Sequence, residues 1–417
     1  MSRNRSRWSI VAMLCATATA GYMARVNVST AAPLLMKEFN LSQVAMGRIF
    51  SSFLLGYALF QIPSGAFADR WGARKVLTLA AWLWVLFTIL QTGVGLGVLG
   101  ATAGASITVF MIIRFLLGIS ASPAYPGAAQ GVSRWVPPSQ QGRANGIVIA
   151  SIGLGSALAP PLVSNVMVHW GWRPALIISA LPALIVAVIW FFIREPEKTV
   201  NEKPGNINET PDSRVAKGKM SSPAFILLTI SYTLQGYVGY IFVAWFYLYL
   251  VQERHFDLLS GAWISSLPWV LSIISIPLGG YISDRLAAGK MGQLNGRRII
   301  PMIGMIGSGL LISFGAHTSS AVIAALSLAF ATALVLCVEG PFWTMMMRLS
   351  GSNSGTAGGV MNMGSNLGGL ISPALTPLIA VWIGWENALH VAAVLSIIAG
   401  LLWIWIRPSI SLSSGTA

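Results

Sequence analysis

The chain has 417 residues, of which 55% are hydrophobic and only 9% are charged. Soluble domains average about 25% charged residues, so this composition excludes an ordinary soluble protein and indicates a membrane protein. About twelve apolar runs of about 20 residues, the length that crosses a bilayer as a helix, lie between residues 9 and 406. The sequence therefore predicts an all-α membrane protein with twelve transmembrane helices.

The net charge of +14 is distributed unevenly between the predicted loops. If the N-terminus is cytoplasmic, 20 of the 26 Lys and Arg residues fall on the cytoplasmic side. The exceptions are four residues on the far side and two within spans: Lys37, Arg48, Arg173 and Arg254, then Arg25 and Arg114. This asymmetry follows the positive-inside rule and predicts cytoplasmic termini in a plasma membrane, the inner membrane of a bacterium. The basic surplus therefore reflects topology and does not indicate a nucleic-acid partner.

A polar segment interrupts the chain at its centre. Residues 195–222 are rich in Pro, Gly, Asn and Glu and are typical of a flexible linker. We expect this cytoplasmic linker to join an N-terminal six-helix bundle, residues 1–194, to a C-terminal six-helix bundle, residues 223–417. Repeated halves around a central cavity are a common design of transport proteins.

The two halves share a loop pattern. Residues 65–75 read GAFADRWGARK, and residues 280–285 read GYISDR, with two further arginines at 297 and 298. The first segment resembles the signature loop of the major facilitator superfamily, and the second is a degenerate copy of it. The resemblance covers essentially the whole chain and implies two six-helix bundles that expose a central cavity to each side of the membrane in turn.

Four finer motifs resemble the anion:cation symporter family, whose members carry sugar acids, organic carboxylates, phosphate and glutamate. The motifs are RVNVS at 25–29, GYALFQIPSG at 56–65, the segment 114–127 that runs from RFLLG to PAYPG, and NMGSNLGG at 362–369. In that family the first, fourth, seventh and tenth spans line the cavity. The resemblance therefore implies an anion carrier, which we expect to be a monomer.

Three charged side chains lie within spans that the resemblance places at the cavity: Arg25, Arg114 and Glu339. A guanidinium group at mid-membrane depth costs roughly 2.5–3.5 kcal/mol on insertion scales, so it is expected to face a protected polar cavity. Two such groups at similar depth can hold a carboxylate or phosphate through bidentate hydrogen bonds. We expect Arg25 and Arg114 to form an anion pocket; the alternative is that each only ties helices together.

Hydroxyl, amide and aromatic side chains can complete such a site, because they suit the polyol and apolar parts of a sugar acid. The predicted substrate-binding residues beside the arginines are Tyr57, Gln61, Tyr232, Gln235, Tyr240, Trp245, Trp343, Asn362 and Asn366. Asn362 and Asn366 are four residues apart and share one helix face.

Charged residues at two cytoplasmic helix ends are predicted to latch that side when it closes; the alternative is that they only mark topology. They are Asp69, Arg70, Arg74, Asp284 and Arg285.

The coupling mechanism is left open, because two residues of this chain differ from those of proton-coupled members of the family. Proton-coupled members of the family carry an acid directly before the first-span arginine and a glutamate seven residues after the fourth-span arginine. Here those positions are Ala24 and Ala121. Glu339 is the remaining candidate proton site, and the alternative is that it forms a salt bridge that latches one conformation. Moving a monoanion into a negative interior costs about 2.3 kcal/mol per 100 mV, so uptake needs a cation, an exchanged anion or a steep gradient.

We therefore predict a secondary active transporter of a small organic anion, a sugar acid or other carboxylate, with Glu339 as the candidate for proton coupling. The alternatives are a proton-independent anion exchanger or exporter, and a transport-inactive sensor on the same fold. The sequence contains no nucleophile motif, phosphate loop or metal-binding spacing, so no enzyme activity, cofactor or metal is expected. The expected partners are the organic anion, a proton if transport is coupled, and the lipid bilayer.

Overall fold

The computed structural model describes residues 2–96, 103–193, 222–350 and 354–407, and within them it contains helices and no strand. The helices before the predicted linker are α1 (Ser2–Glu38), α2 (Gln43–Trp71), α3 (Ala73–Thr92), α4 (Ala103–Ala121), α5 (Ala124–Trp135), α6 (Pro138–Trp170) and α7 (Trp172–Phe192). The helices after it are α8 (Pro223–Gln252), α9 (Leu258–Ala288), α10 (Gly292–His317), α11 (Ala321–Cys337), α12 (Glu339–Ser350) and α13 (Ser354–Leu402). The linker lies outside the described residues except for Ser222, whose side chain caps α8.

Eleven helical stretches in the described chain are long and apolar enough to cross a membrane. Two of them are each made of two successive helices: α4 and α5 together form Ala105–Trp135, and α11 and α12 together form Ala321–Ser350. The last stretch, Thr356–Leu402, has 47 residues and breaks at Gly384, where φ is 84° and ψ is 160°. Since about 20 residues cross a bilayer, this stretch holds two crossings. The prediction of an all-α fold with twelve spans is confirmed.

Consecutive spans run in opposite directions, so the bundle has two ends. We call the end that carries Arg74 and Arg297 the basic end, and the end that carries Glu38 and Gln252 the opposite end. At the basic end, one arginine of each half donates to backbone carbonyls at, or just beyond, the end of the last helix of that half. Arg74 donates to the carbonyl oxygen of Phe191 at 2.6 Å, and Arg298 donates to the carbonyl oxygens of residues 404 and 406 at 2.6–3.1 Å.

Glycines bring helices into backbone contact in matching helix pairs of the two halves. A Cβ atom on Gly118 would lie 2.0 Å from the carbonyl oxygen of Phe53, which ties α4 to α2. A Cβ atom on Gly279 would lie 2.0 Å from the carbonyl oxygen of Cys337, which ties α9 to α11. Small residues allow such close approach between membrane helices. The spans that carry the mid-membrane charges are therefore held at fixed separations from their neighbours.

The two halves meet along α1 and α8, α2 and α13, and α6 and α9. At the opposite end this contact forms a seal. Gln43 donates to Gln252 at 3.3 Å and accepts from the indole N–H of Trp385 at 3.1 Å, so one glutamine holds two C-terminal helices. Phe50 packs edge-on against Trp245, with ring centroids 5.3 Å apart. The space between the halves is thus closed at the opposite end, and the charged side chains lie deeper in the bundle.

Candidate functional site

Arg25 lies near the middle of α1 and is surrounded by aromatic rings. Its guanidinium carbon is 5.2 Å from the ring centroids of Tyr22, Tyr57 and Tyr240 and 5.3 Å from that of Phe53. Nη1 donates to the Tyr22 hydroxyl at 3.4 Å, and Nη2 donates to the Tyr240 hydroxyl. Among the side chains that the structure describes, no carboxylate pairs with Arg25. Ring faces and phenol oxygens therefore stabilise this cation, but no described side chain neutralises its positive charge.

A cavity of about 40 Å³ lies beside Arg25 in the N-terminal half. Its walls include Tyr22, Tyr57, Tyr125 and Ala121, so Arg25 and one of the two alanines that replace the expected acids line the same space. The other alanine, at position 24, is 2% exposed and packs in the core. Neither position supplies a counter-charge to the arginine.

Arg114 approaches Arg25 through the backbone. It is 3% exposed, and its Nη2 donates to the carbonyl oxygen of Arg25 at 3.2 Å. Its guanidinium carbon lies 4.8 Å from the centroid of Phe53, the ring that Arg25 also contacts. Its Nε and Nη1 have no hydrogen-bond partner in the described structure. Arg114 is not among the residues that line the cavity beside Arg25, and its Nη2 points at the α1 backbone. An anion pocket formed jointly by Arg25 and Arg114 stays a prediction.

Three predicted amide side chains meet between the halves. The Oε1 atom of Gln61 on α2 accepts from the Nδ2 atoms of Asn362 at 3.2 Å and Asn366 at 3.1 Å, both on α13. The Nε2 atom of Gln61 lies 3.4 Å from the Tyr57 hydroxyl, which joins this cluster to the rings around Arg25. The cluster offers hydrogen-bond donors and acceptors next to the cation, as a hydroxylated ligand requires.

Glu339 is the first residue of α12, directly after the break that ends α11. Its Oε2 accepts from the Tyr232 hydroxyl at 2.8 Å, and its Oε1 accepts from the Gln235 amide at 3.0 Å. The ring of Trp343, one turn further along α12, stands edge-on to Tyr232 with centroids 6.5 Å apart. Neutral donors therefore surround the carboxylate, and no described cation forms a salt bridge with it. Tyr232 and Gln235 lie on α8, the helix that also presents Tyr240 to Arg25.

Trp245 is separate from these groups. Its side chain is fully buried, its indole N–H donates to the carbonyl oxygen of Pro373 at 3.2 Å, and its ring packs on Phe50 and Trp385 in the seal at the opposite end. In this conformation the polar atom of Trp245 is bonded to Pro373 and its ring lies in the seal, so its role in substrate binding stays a prediction.

Three of the five predicted gating residues, Arg74, Asp284 and Arg285, make contacts within their own half in this conformation. Asp284 pairs with Arg297 at 2.7 Å, and Arg285 donates to the Tyr281 hydroxyl at 3.0 Å, both within the C-terminal half. Arg74 caps α7, as described above. Arg70 lies exposed in the last turn of α2, and the Asp69 side chain lies outside the described part of the chain. A latch between the halves stays a prediction for a conformation closed at the basic end.

Sequence reasoning missed Tyr22, Phe53 and Tyr125. Tyr22 precedes Arg25 by three residues and Phe53 precedes Tyr57 by four, so helical spacing alone places each beside a residue that was predicted. Tyr125 follows the break between α4 and α5 and lines the cavity. Its position could not be read from the sequence, because the break between Ala121 and Ala124 interrupts the helical spacing that relates Tyr125 to α4.

A membrane-spanning bundle in two matching halves, with charged side chains at mid-depth where the halves meet, defines a membrane transport protein. Residues 13–373 match the family model described as Major Facilitator Superfamily, and the chain belongs to that family. The predicted family is confirmed, and the family and the relatives below are transporters rather than enzymes.

Curated relatives carry sugar acids and other organic anions. The chain is 29% identical to the hexuronate transporter of Bacillus subtilis over 99% of this chain and 98% of that protein. It is 30% identical to a probable sulfoacetate transporter of Cupriavidus necator over 89% of this chain and 87% of that protein. It is 29% identical to a probable galactarate/D-glucarate transporter of Bacillus subtilis over 95% of this chain and 90% of that protein. The chain is therefore homologous to organic-anion transporters.

Solved structures show the same fold at lower sequence identity. A bacterial homologue of the human lysosomal transporter Spinster, in an inward-facing and occupied conformation, superposes with a TM-score of 0.77 at 18% identity over 96% of each chain. A D-xylose–proton symporter superposes with a TM-score of 0.77 at 16% identity over 96% of this chain and 98% of that chain.

Proposed function

We propose that the protein transports a small organic anion, a sugar acid or other carboxylate, by alternating access between its two six-helix halves. The observation that carries this proposal is Arg25: a cation at mid-depth, bordered by a cavity and aromatic rings, with no described carboxylate as partner. A carboxylate can accept two hydrogen bonds from one guanidinium group. The amides of Gln61, Asn362 and Asn366 lie where they can bind hydroxyl groups of the same ligand.

The seal at the opposite end supports one assignment of the conformation. If the positive-inside rule holds, the basic end is cytoplasmic and the sealed end faces outward. Gln43, Phe50, Trp245 and Trp385 then close the outer side, and the site faces the cytoplasm. The gating residues at the basic end would pair across the halves once that end closes.

A binding and transport panel tests the proposed substrate class. We expect glucuronate, glucarate or sulfoacetate to raise the melting temperature of the purified protein, and glucose, which has no negative charge, to leave it unchanged. The acid that stabilises the protein should also exchange across proteoliposomes with its labelled form. Stabilisation by glucose alone would favour a different substrate. Binding of the acids without exchange of any of them would favour a transport-inactive sensor.

Proton coupling is tested at Glu339. If this carboxylate carries the proton, Glu339→Gln should abolish accumulation driven by an inward proton gradient and retain exchange. Glutamine has nearly the same shape and keeps one acceptor oxygen for Tyr232 or Gln235, but it cannot bind and release a proton. Trp343→Phe is the matched control on the same helix, because it changes the site without changing a titratable group. Undiminished gradient-driven accumulation in Glu339→Gln would leave proton-independent exchange or export as the mode of transport.

A further inference from the structure

Arg25 and Tyr240 join the two halves of the protein at mid-depth. Arg25 lies in span Trp8–Glu38 and Tyr240 in span Pro223–Gln252, each within about three residues of the centre of its span. The guanidinium Nη2 donates to the phenol oxygen, and the guanidinium carbon lies 5.2 Å from the ring centroid. The contact therefore links the mid-depth cation Arg25 of the N-terminal half to the C-terminal half.

The charge of Arg25 creates a problem for a carrier that completes net transport. Such a carrier reorients once with substrate and once without it. A bound carboxylate balances Arg25 in the first step. In the second step the guanidinium group needs another partner, because an uncompensated charge in a low-dielectric interior is unfavourable. Ala24 and Ala121 supply no carboxylate, and Glu339 is bonded to Tyr232 and Gln235.

We propose that Tyr240 is the positioning residue that allows the carrier to reorient without substrate. A phenol group can both accept and donate a hydrogen bond. Without substrate, the Tyr240 oxygen accepts from Arg25 and keeps the cation paired across the halves. With substrate, the Tyr240 O–H donates to the carboxylate that Arg25 holds. This inference rests on the proposed function, because it requires a carboxylate substrate at Arg25.

Tyr22 provides the comparison within the same site. Its hydroxyl also accepts from Arg25, at 3.4 Å, and its ring centroid lies at the same 5.2 Å from the guanidinium carbon. Tyr22 belongs to α1, however, and moves with Arg25 as one body. Its contact can stabilise the guanidinium group but cannot link the two halves during reorientation. Comparing variants of the two tyrosines therefore distinguishes the effect of a phenol bonded to Arg25 from the effect of a bond that crosses between the halves.

The experiment compares net efflux with exchange in proteoliposomes holding full-length protein, at equal pH on both sides and zero membrane potential. The labelled probe is glucuronate, glucarate or sulfoacetate, whichever the wild type exchanges. Net efflux requires reorientation without substrate, whereas exchange does not. Tyr240→Phe removes a hydrogen bond to a charged group in both steps. In the loaded carrier the carboxylate still balances Arg25, whereas in the empty carrier the lost bond is the link between the halves. Tyr240→Phe should therefore lower net efflux at least about tenfold more than it lowers exchange. Tyr22→Phe should change both rates by the same factor.

A second variant keeps the test decisive. Tyr240→Gln restores a hydrogen-bond acceptor and a donor at this position and should recover part of the net efflux. In both Tyr240 variants, substrate should still raise the melting temperature. Equal losses of net efflux and exchange in Tyr240→Phe, or the same split in Tyr22→Phe, would overturn the inference. Absence of exchange by the wild type with all three acids would instead overturn the proposed function, and the inference with it.

Discussion

Arg25→Gln is expected to lower carboxylate exchange by at least about 100-fold, because two hydrogen bonds to a charged group together contribute about 3–6 kcal/mol and each 1.4 kcal/mol is a factor of ten. Arg25→Lys should restore less than about one tenth of the wild-type rate. An ammonium group keeps the charge but cannot offer the planar pair of donors that fits a carboxylate or the flat face that packs on tyrosine rings. Counterflow of labelled glucuronate, glucarate or sulfoacetate in proteoliposomes measures both variants.

The control for Arg25 is Arg48→Gln. Arg48 is an exposed arginine of α2, so this variant removes one positive charge from the protein without touching the site. It should retain exchange within about twofold, because exposed charges in contact with water contribute little. If Arg25→Gln keeps more than about a tenth of the wild-type exchange rate, the anion does not bind at Arg25, and its site lies away from α1. Arg114 would then be the next arginine to test, through its unpartnered Nε and Nη1 atoms.

The sequence predicts the bundle well because the bilayer imposes strong rules. Each span needs about 20 apolar residues, and only internal hydrogen bonding is allowed within the hydrocarbon layer. The count of twelve requires residues 354–402 to form two spans rather than one. They divide at Gly384, where φ is 84°, a conformation that disfavours any side chain. The same rules identified Arg25 as exceptional, since a charged residue in an apolar run needs a protein partner or a cavity.

The arrangement within the site could not be predicted from spacing. Arg114 falls at a similar depth to Arg25, but only tertiary packing decides that it turns towards the α1 carbonyl rather than into the cavity. Trp245 and Tyr240 lie five residues apart on α8, and the packing of α2 and α13 places one in the seal and the other against Arg25. The cluster of Gln61, Asn362 and Asn366 joins residues about 300 positions apart, a contact that requires the docking of the two halves.

Ala121→Glu is expected to lower carboxylate exchange at pH 8 by at least about tenfold, with recovery as the pH falls. Ala121 and Arg25 line one cavity, so a glutamate at position 121 can pair with the guanidinium group and compete with the substrate. A close pair of opposite charges in a partly buried site is favourable by several kcal/mol at an effective dielectric constant of about 20. Protonation of the new carboxylate removes the competition, so exchange should rise towards acidic pH. Rates of exchange between pH 5 and pH 8 measure the effect.

Ala121→Gln separates charge from bulk in this experiment, because glutamine has the size of glutamate and no charge. Any loss caused by filling the cavity of about 40 Å³ should appear in both variants and should not depend on pH. If glutamate and glutamine give the same rates at every pH, the side chain at position 121 does not reach Arg25. If only the glutamate variant is inhibited and its exchange recovers with acid, Arg25 is the group on which substrate and carboxylate compete. Alanine at position 121 then leaves the positive charge of Arg25 available to substrate at every pH.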